Sequence, residues 1–171
     1  GVFDGLVPAS TGIGGANRAG AALTGGLLAV RPAPGIAPAM VVPSPLQCPA
    51  PAYGSSFSRA VEWVGAGYRR LIISGTASIE PGGASVHQGD TAAQIALTME
   101  VIAAILHARR MDWADVTRAI AYFKYAGEAP LLREYRQAHR IPEFPVLYTC
   151  NDICRDDLLF EMELDAVVPQ E

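Results

Sequence analysis

Near its end the chain runs Phe160-Glu161-Met162-Glu163-Leu164-Asp165-Ala166, an unbroken alternation of apolar and acidic residues. Successive side chains on a β-strand point to opposite faces of the sheet, so a period of two predicts a strand here. One face of that strand is apolar and packs on a core. The other face carries three carboxylates, Glu161, Glu163 and Asp165, which have to be explained separately.

The three carboxylates have two interpretations. The first is a solvated sheet face, because carboxylates are almost never fully buried unless they are paired. The second follows from the preceding segment: residues 146–154 and 158–168 are predicted to form a terminal hairpin. That hairpin places Asp152 close to opposite Glu161, and two like charges so placed leave one carboxyl protonated near neutral pH. A protonated carboxyl is a candidate general acid.

The turn of this predicted hairpin carries a cation and follows two cysteines. Arg155 either neutralises the neighbouring aspartates, as a surface pair worth well under about 1 kcal/mol, or forms a forked clamp on a substrate carboxylate. Cys150 and Cys154 are predicted to share one face of a strand, where a cysteine is usually a small core residue. With no histidine nearby in the sequence, an activated thiolate is disfavoured.

The preceding hundred residues supply the remaining elements. Strands are predicted at 60–64 and 71–77 as a hairpin, a helix at 91–110 capped by Asp90, a strand at 116–124, and a helix at 129–140 that ends before Pro142. The first helix has a core stripe of Ile95, Met99, Ile102 and Leu106. The resulting order, β-β-α-β-α-β-β, predicts an α+β fold in which two long helices pack on one face of a mixed sheet.

Residues 1–52 differ in composition and are predicted to be a Gly/Pro-rich lead-in to a domain spanning 53–171. The lead-in contains one predicted strand over residues 22–30, interrupted by Gly25-Gly26 and followed by a Pro-rich connection at 31–34. Gly12, Gly14 and Gly15 lack the lysine of a phosphate-binding loop and are predicted to be a flexible turn. A chain that begins with Gly1 is expected to be processed or to be part of something longer.

Composition excludes several classes of function. The 171 residues suit one domain, and a net charge of −4 with no basic run longer than two residues disfavours nucleic acid as a partner. The longest apolar stretches are too short to span a bilayer, and no signal peptide is recognised. Three cysteines, an odd number, indicate a reducing cytoplasm, and three scattered histidines predict no metal site.

Several motifs resemble the YjgF/RidA/UK114 family over residues 53–168. They are the segment 57–61, Leu71-Ile72-Ile73-Ser74-Gly75, the helix containing Gln94, Tyr122-Phe123-Lys124 and the final strand. The resemblance implies a chorismate-mutase-like α+β domain, homotrimers, and, in one branch, hydrolysis of enamines and imines. Ser74 and Glu161 match that branch, but Phe57 replaces its tyrosine, and Leu147 or Tyr148 replaces the arginine that clamps the substrate carboxylate.

A related group accounts for these departures. Residues 154–161, Ser74-Gly75-Thr76-Ala77 and Thr11-Gly12-Ile13-Gly14-Gly15 are similar to the carboxy-terminal half of chorismatases, which include the 3-hydroxybenzoate synthases and are often labelled pteridine-dependent dioxygenase-like. Members of that group have two halves of YjgF-like shape, with the active site on the carboxy-terminal half. The implied reaction is cleavage of the enolpyruvyl ether of chorismate with release of pyruvate, without a metal or cofactor.

The resemblance also implies a role for each site residue. Glu161 protonates the enolpyruvyl methylene, and Arg155 and Arg59 bind the substrate carboxylates. The substrate-binding set is completed by the Ser74-Gly75 pair. A cysteine at the position of Cys154 accompanies 3-hydroxybenzoate formation, whereas an alanine accompanies hydrolysis to a dihydroxycyclohexadiene acid.

Two alternatives to this chorismatase of secondary metabolism stay open at the level of sequence. One is a RidA-like enamine or imine deaminase, and the other is a non-catalytic YjgF-like domain that binds a small molecule. Two protein partners are equally open: an amino-terminal half of the same protein, or further copies in a homotrimer. The expected location is cytoplasmic, with chorismate as the small-molecule partner and neither nucleic acid nor membrane involved.

Overall fold

The computed structural model describes residues 7–15, 20–29, 31, 39–65 and 67–170. Its strands and helices, in chain order, are β1 (Ile13–Gly14), β2 (Met40–Val42), β3 (Ala60–Gly65), β4 (Tyr68–Ala77), α1 (Thr91–Ala108), β5 (Val116–Phe123), α2 (Ala129–Ala138), β6 (Val146–Cys150), β7 (Asp152–Ile153) and β8 (Phe160–Pro169). Six strands form one mixed sheet in the order β2-β3-β4-β8-β5-β6, and β1 pairs with β7. The predicted α+β fold is confirmed.

The core lies between one face of the sheet and the two helices. The four apolar side chains that alternate with the carboxylates of β8 are completely buried: Phe160, Met162, Leu164 and Ala166. The predicted helix stripe is also buried, and Asp90 caps α1 by accepting a hydrogen bond of 2.9 Å from the Ala93 N–H. By length and composition alone α1 is apolar enough to cross a membrane. Half of this helix is buried inside the domain, as a core helix requires.

The predicted terminal hairpin is wrong. β6 pairs with β5 in parallel, and β8 lies antiparallel between β4 and β5. The physical reason is the helix α2, which links β5 to β6 as a crossover and so makes the two strands parallel. Asp152 lies opposite Gly14 in the small β1–β7 sheet, not opposite Glu161. Cys150 and Cys154 therefore belong to separate segments and share no strand face.

The lead-in differs from its prediction in two places. Residues 20–29 form no strand: glycine weakens a strand interior, and Leu23 and Leu27, which are 84% and 89% exposed, bury no apolar face here. Ile13 and Gly14, predicted to lie in a flexible turn, form β1. Val30, the last residue of the predicted strand, and residues 32–34 of the predicted connection lie outside the described residues. The boundary at residues 52 and 53 stays a prediction, with β2 joining the sheet from the lead-in side.

Candidate active site

A cavity of about 300 Å³ lies on the sheet face opposite the helices. It is enclosed by the end of β4, the start of β8, the loop between β7 and β8, and the lead-in. Five of the six residues predicted for the site line this cavity: Glu161, Cys154, Arg155, Arg59 and Gly75. The topology thus brings together side chains that lie about a hundred residues apart in the sequence.

Glu161 lies at the start of β8, opposite Ala77 on β4 and Tyr122 on β5. Glu161 is only 4% exposed, and its carboxyl forms no hydrogen bond or ion pair with any described residue. Burial raises the pKa of Glu161 to about 7, and the negative charge of Glu163 adds to the effect. A protonated Glu161 near neutral pH was expected, but its cause is burial and not Asp152.

The other two carboxylates of β8 are neutralised by arginines. Asp165 pairs with Arg70, and an Arg118 nitrogen lies 3.5 Å from its other oxygen. Glu163 pairs with Arg118 as well. Asp165 is only 3% exposed, so the solvated-face interpretation is wrong. Glu161 is therefore the one carboxylate of the three that the described part of the chain leaves unpaired.

Arg59 is a buried cation without a counter-charge among the described residues. It is 4% exposed, and its Nε donates a 3.0 Å hydrogen bond to the Cys48 carbonyl. Its guanidinium carbon lies 5.3 Å from the Tyr53 ring centre and 5.4 Å from that of Phe57. Its Nη2 is buried and has no hydrogen-bond partner in the described structure. A buried donor left unsatisfied is costly, so an anion in the cavity would stabilise this arrangement.

Arg155 occupies another wall of the cavity. Its Nη1 donates hydrogen bonds to the Gly83 carbonyl at 2.9 Å and to the Ser85 hydroxyl at 3.2 Å. Of the two alternatives for Arg155, the surface pair does not form, since no described carboxylate lies within ion-pair distance of it. Its guanidinium carbon lies 5.2 Å from the Tyr53 ring centre. Both cavity arginines thus contact one aromatic ring.

Tyr53 is a functional candidate that no sequence pattern predicts. It ends a short 3-10 turn, Ala50–Tyr53, and lines the cavity between its two arginine contacts. Burial raises the pKa of its phenol, so the hydroxyl stays protonated and able to donate. A tyrosine in a Pro-rich turn carries no periodicity or motif, and no signal in the sequence marks it.

Gly75 lies at a β-bulge between Ile73 and Thr76, where β4 loses register with β8. A Cβ at this position would collide with the Glu161 carboxylate and would lie 2.8 Å from the Thr11 methyl carbon. Glycine is therefore required for Glu161 to occupy its place. The neighbouring Ser74 is 2% exposed, donates to the Ser58 carbonyl and accepts a 3.0 Å hydrogen bond from the Ser10 N–H. The Ser74 hydroxyl therefore links β4 to the segments that contain Ser10 and Ser58, and its role in substrate binding stays a prediction.

Cys154 lines the cavity beside Arg155 and Glu161. Burial raises the pKa of its thiol, and the charge of Glu161 raises it further. The thiol is therefore protonated at neutral pH and is a poor nucleophile. In the described part of the chain, no three His, Cys, Asp or Glu side chains are grouped so that they could hold a metal ion.

No family model matches this sequence. Two curated relatives are similar to it. A chorismatase from Streptomyces rapamycinicus is 34% identical over 119 residues, which cover 63% of this chain and 35% of the relative. A 3-hydroxybenzoate synthase from Streptomyces hygroscopicus is 28% identical over 115 residues, which cover 62% of this chain and 33% of the relative. The matched region spans about a third of the length of either relative.

Solved structures agree with both resemblances seen in the sequence. A crystal structure of a chorismatase superposes with a TM-score of 0.64 and 26% identity, covering 76% of this chain and 44% of that one. The YjgF gene product of E. coli gives a TM-score of 0.59 and 20% identity, covering 75% of this chain and 98% of that one. The second comparison supports the fold alone, so the YjgF-like fold and the similarity to chorismatases are both confirmed.

Proposed function

We propose that this domain cleaves chorismate and releases pyruvate and 3-hydroxybenzoate. One observation carries the proposal: a buried carboxyl and a buried guanidinium, each without a partner among the described residues, line the same cavity. Such a site suits a substrate that is anionic at its ends and has to be protonated in between. The similarity to a chorismatase and a 3-hydroxybenzoate synthase supports chorismate as that substrate.

The reaction begins with a proton from Glu161. Transfer of that proton to the enolpyruvyl methylene carbon makes the ether carbon electrophilic, and the neighbouring ring hydroxyl of chorismate adds to this carbon and returns its proton to Glu161. The bond between the ether carbon and the first ring oxygen and the bond between the ring and the added oxygen then break, so pyruvate leaves with the hydroxyl oxygen as its carbonyl. The ring carbon that keeps its oxygen loses its hydrogen as a proton to that oxygen, which completes the aromatic ring. Pyruvic acid and 3-hydroxybenzoic acid together contain all the atoms of chorismic acid, so the net reaction consumes no water and no oxidant. A carboxyl with a pKa of about 7 keeps its proton available and remains acidic enough to give it up.

The two arginines bind the two carboxylates of chorismate. Arg59 has an unused donor at Nη2, and Arg155 has one nitrogen committed to Gly83 and Ser85, which fixes its orientation. A charge-assisted hydrogen bond contributes about 1.5–3 kcal/mol, more than a neutral one. Since both cations contact Tyr53, its rigid ring sets their separation before substrate arrives.

Cys154 is proposed to favour 3-hydroxybenzoate over the hydrolysis product. Its neutral thiol lines the cavity next to Glu161, where an alanine would leave room for a water molecule. Exclusion of water matters because formation of the dihydroxycyclohexadiene acid consumes one. The role of the cysteine itself comes from the resemblance of residues 154–161 to the 3-hydroxybenzoate synthases.

The open face of the sheet needs a partner in this proposal. The resemblance to the YjgF family and to two-half chorismatases supports such a partner, and Val41 and Leu147, on the edge strands β2 and β6, are 47% and 62% exposed. An amino-terminal half of the same protein would cover this face in a single copy, whereas a homotrimer would cover it with further copies. Sedimentation equilibrium measures the mass of the purified chain in solution. Three times the mass of one chain would favour the homotrimer, and the mass of one chain would contradict it.

Incubation of the purified protein with chorismate, followed by chromatography, tests the function. Pyruvate and 3-hydroxybenzoate in equal amounts are expected. Unchanged chorismate with faster decay of 2-aminoacrylate would favour the deaminase, although Leu147 or Tyr148 of β6 stands where the resemblance to that branch implies an arginine. No turnover of either compound, with chorismate binding retained, would favour the non-catalytic domain.

Glu161→Gln tests the acid directly. The amide is nearly isosteric but supplies no proton, so turnover is expected to fall at least about a hundredfold, as is usual for loss of a general acid. Glu163→Gln is the matched control, because Glu163 lies on the same face of β8, is paired with Arg118 and does not line the cavity. Equal losses in the two variants would contradict the role of Glu161.

A further inference from the structure

The lead-in crosses the candidate site as a strap, defined here as residues 7–14. Its first part lies beside Ser58, just before β3: the Ser58 N–H donates a 2.9 Å hydrogen bond to the Pro8 carbonyl, and Ala9 forms a bridge with Ser58. Its last part is β1, paired with β7. Between these anchors, Ser10 and Gly12 line the cavity. The strap therefore joins the segments that carry Arg59 and Arg155 and closes the cavity between them.

Thr11 lies in the middle of the strap and makes two different contacts. Its hydroxyl accepts a 2.9 Å hydrogen bond from the Gly75 N–H, which the β-bulge removes from the pairing between β4 and β8. Its methyl carbon lies 2.8 Å from the point where a Gly75 Cβ would be, and a Glu161 carboxylate oxygen lies within collision distance of that same point. The methyl group and the carboxyl are therefore neighbours beside the Gly75 backbone.

The other groups that face Glu161 are charged or titratable. Glu163 lies two residues along β8 and is held by Arg118; Tyr122 lies opposite on β5; Cys154 and Arg155 lie on the loop before β8. Burial and the charge of Glu163 both disfavour ionisation of Glu161. Arg59 is a second cation lining the same cavity. Because burial is the larger cause of the raised pKa, the acid stays protonated only if water is kept away from it.

We propose that Thr11 is a positioning residue for Glu161: its hydroxyl fixes the Gly75 bulge, and its methyl group shields the carboxyl from water. The catalytic consequence rests on the proposed function, but the shielding does not. The side chain thus has two separable parts, and each can be removed alone. Thr11→Ser keeps the hydroxyl acceptor and removes the methyl group, whereas Thr11→Val keeps a methyl group and removes the acceptor.

The test measures the titration of Glu161 without substrate. Infrared difference spectra between low and high pH report the carboxyl stretch, and the band missing in Glu161→Gln assigns it. Thr11→Ser is expected to lower the Glu161 midpoint by about one pH unit, because desolvation is what raises this pKa. Thr11→Val is expected to keep the midpoint within a few tenths of a unit and to lower the thermal stability. Ile13→Val, a strap residue that does not line the cavity, is the control and should match the parent protein.

The pH profile of kcat/KM with chorismate provides the catalytic readout. Activity requires the protonated acid and is lost as pH rises through its pKa, so Thr11→Ser is expected to move this loss to lower pH by the same amount. A midpoint unchanged in Thr11→Ser would overturn the inference whatever the activity. A shifted midpoint in a protein that leaves chorismate intact would uphold the shielding and reject the proposed function.

Discussion

At the scale of single residues, the site keeps opposite charges apart. Arg59 and Glu161 line one cavity, yet Arg59 is held by the Cys48 carbonyl and two aromatic rings and makes no ion pair with Glu161. A direct pair would ionise Glu161 and remove its proton. The separation therefore preserves both an acid and an anion-binding cation until a substrate supplies the missing negative charge.

Arg59→Lys is expected to weaken substrate binding while leaving the acid in place. Lysine keeps the charge but loses the planar contacts with Tyr53 and Phe57 and the forked geometry that suits a carboxylate. Loss of one charge-assisted hydrogen bond corresponds to a rise in KM of about ten- to a hundredfold, with a smaller change in kcat. Steady-state kinetics with chorismate measure both values. Arg70→Lys, which alters the pair with Asp165 outside the cavity, is the control.

A fall in kcat as large as the rise in KM would contradict the assignment of Arg59 to binding.

At the same scale, the sequence predicts where a residue lies better than it predicts the contacts of that residue. The period of two placed Glu161 on the correct strand face, but no local pattern could reveal that it is unpaired, because its surroundings come from β4, β5 and the strap. Tyr53 and the contacts of Thr11 were invisible for the same reason.

At the scale of elements, one helix residue fixes the loop that carries Cys154 and Arg155. Gln94 on α1 is completely buried, and its Nε2 donates to the carbonyls of His87 at 3.2 Å and Asp157 at 2.9 Å. Its Oε1 accepts a 2.7 Å hydrogen bond from the Leu159 N–H. The start of β8 is therefore tied to the helix layer through a single amide.

Gln94→Leu is expected to lower the free energy of unfolding by about 2–4 kcal/mol, because it leaves buried backbone groups without partners. It should also reduce activity, since Cys154 and Arg155 lose their support. Urea unfolding measures the first effect. Thr98→Val is a close control on the same helix: Thr98 is equally buried, but its hydroxyl has no partner among the described residues, so little loss of stability is expected.

If both variants lost the same stability, Gln94 would be only a packing residue.

The helices and strands that depend on local patterns could be predicted from the sequence: the Asp90 cap, the α1 stripe and the β3–β4 hairpin are all local patterns, and all are confirmed. The pairing of β8 was not accessible. It depends on the crossover through α2 and on the β1–β7 pair, which join distant parts of the chain.

At the scale of the whole molecule, two buried carboxyls respond to pH in opposite directions. The hydrogen bonds from Arg109, helped by Arg69, hold the pKa of Glu62 below its ordinary value of 4.5. Its contribution to stability is present above that value and is lost as pH falls through the folded-state pKa. Burial raises the pKa of Glu161 from 4.5 to about 7. Its contribution is lost as pH rises between those values, because the unfolded chain releases the proton first.

The protein is therefore expected to be less stable at pH 8 than at pH 5, with Glu161 accounting for up to about 3 kcal/mol of the difference, since each pKa unit corresponds to about 1.4 kcal/mol. Urea unfolding at both pH values measures this difference, and Glu161→Gln isolates it, because the amide does not titrate. The variant should lose most of the decline between pH 5 and pH 8 and become the more stable protein at pH 8. Glu163→Gln, which removes a paired carboxylate of the same strand, should keep most of the decline, because burial is the larger cause of the Glu161 shift. Parallel curves for the parent protein and Glu161→Gln would mean that Glu161 ionises as freely in the folded protein as in water, and an acid of that kind would have no proton to give to a substrate at neutral pH.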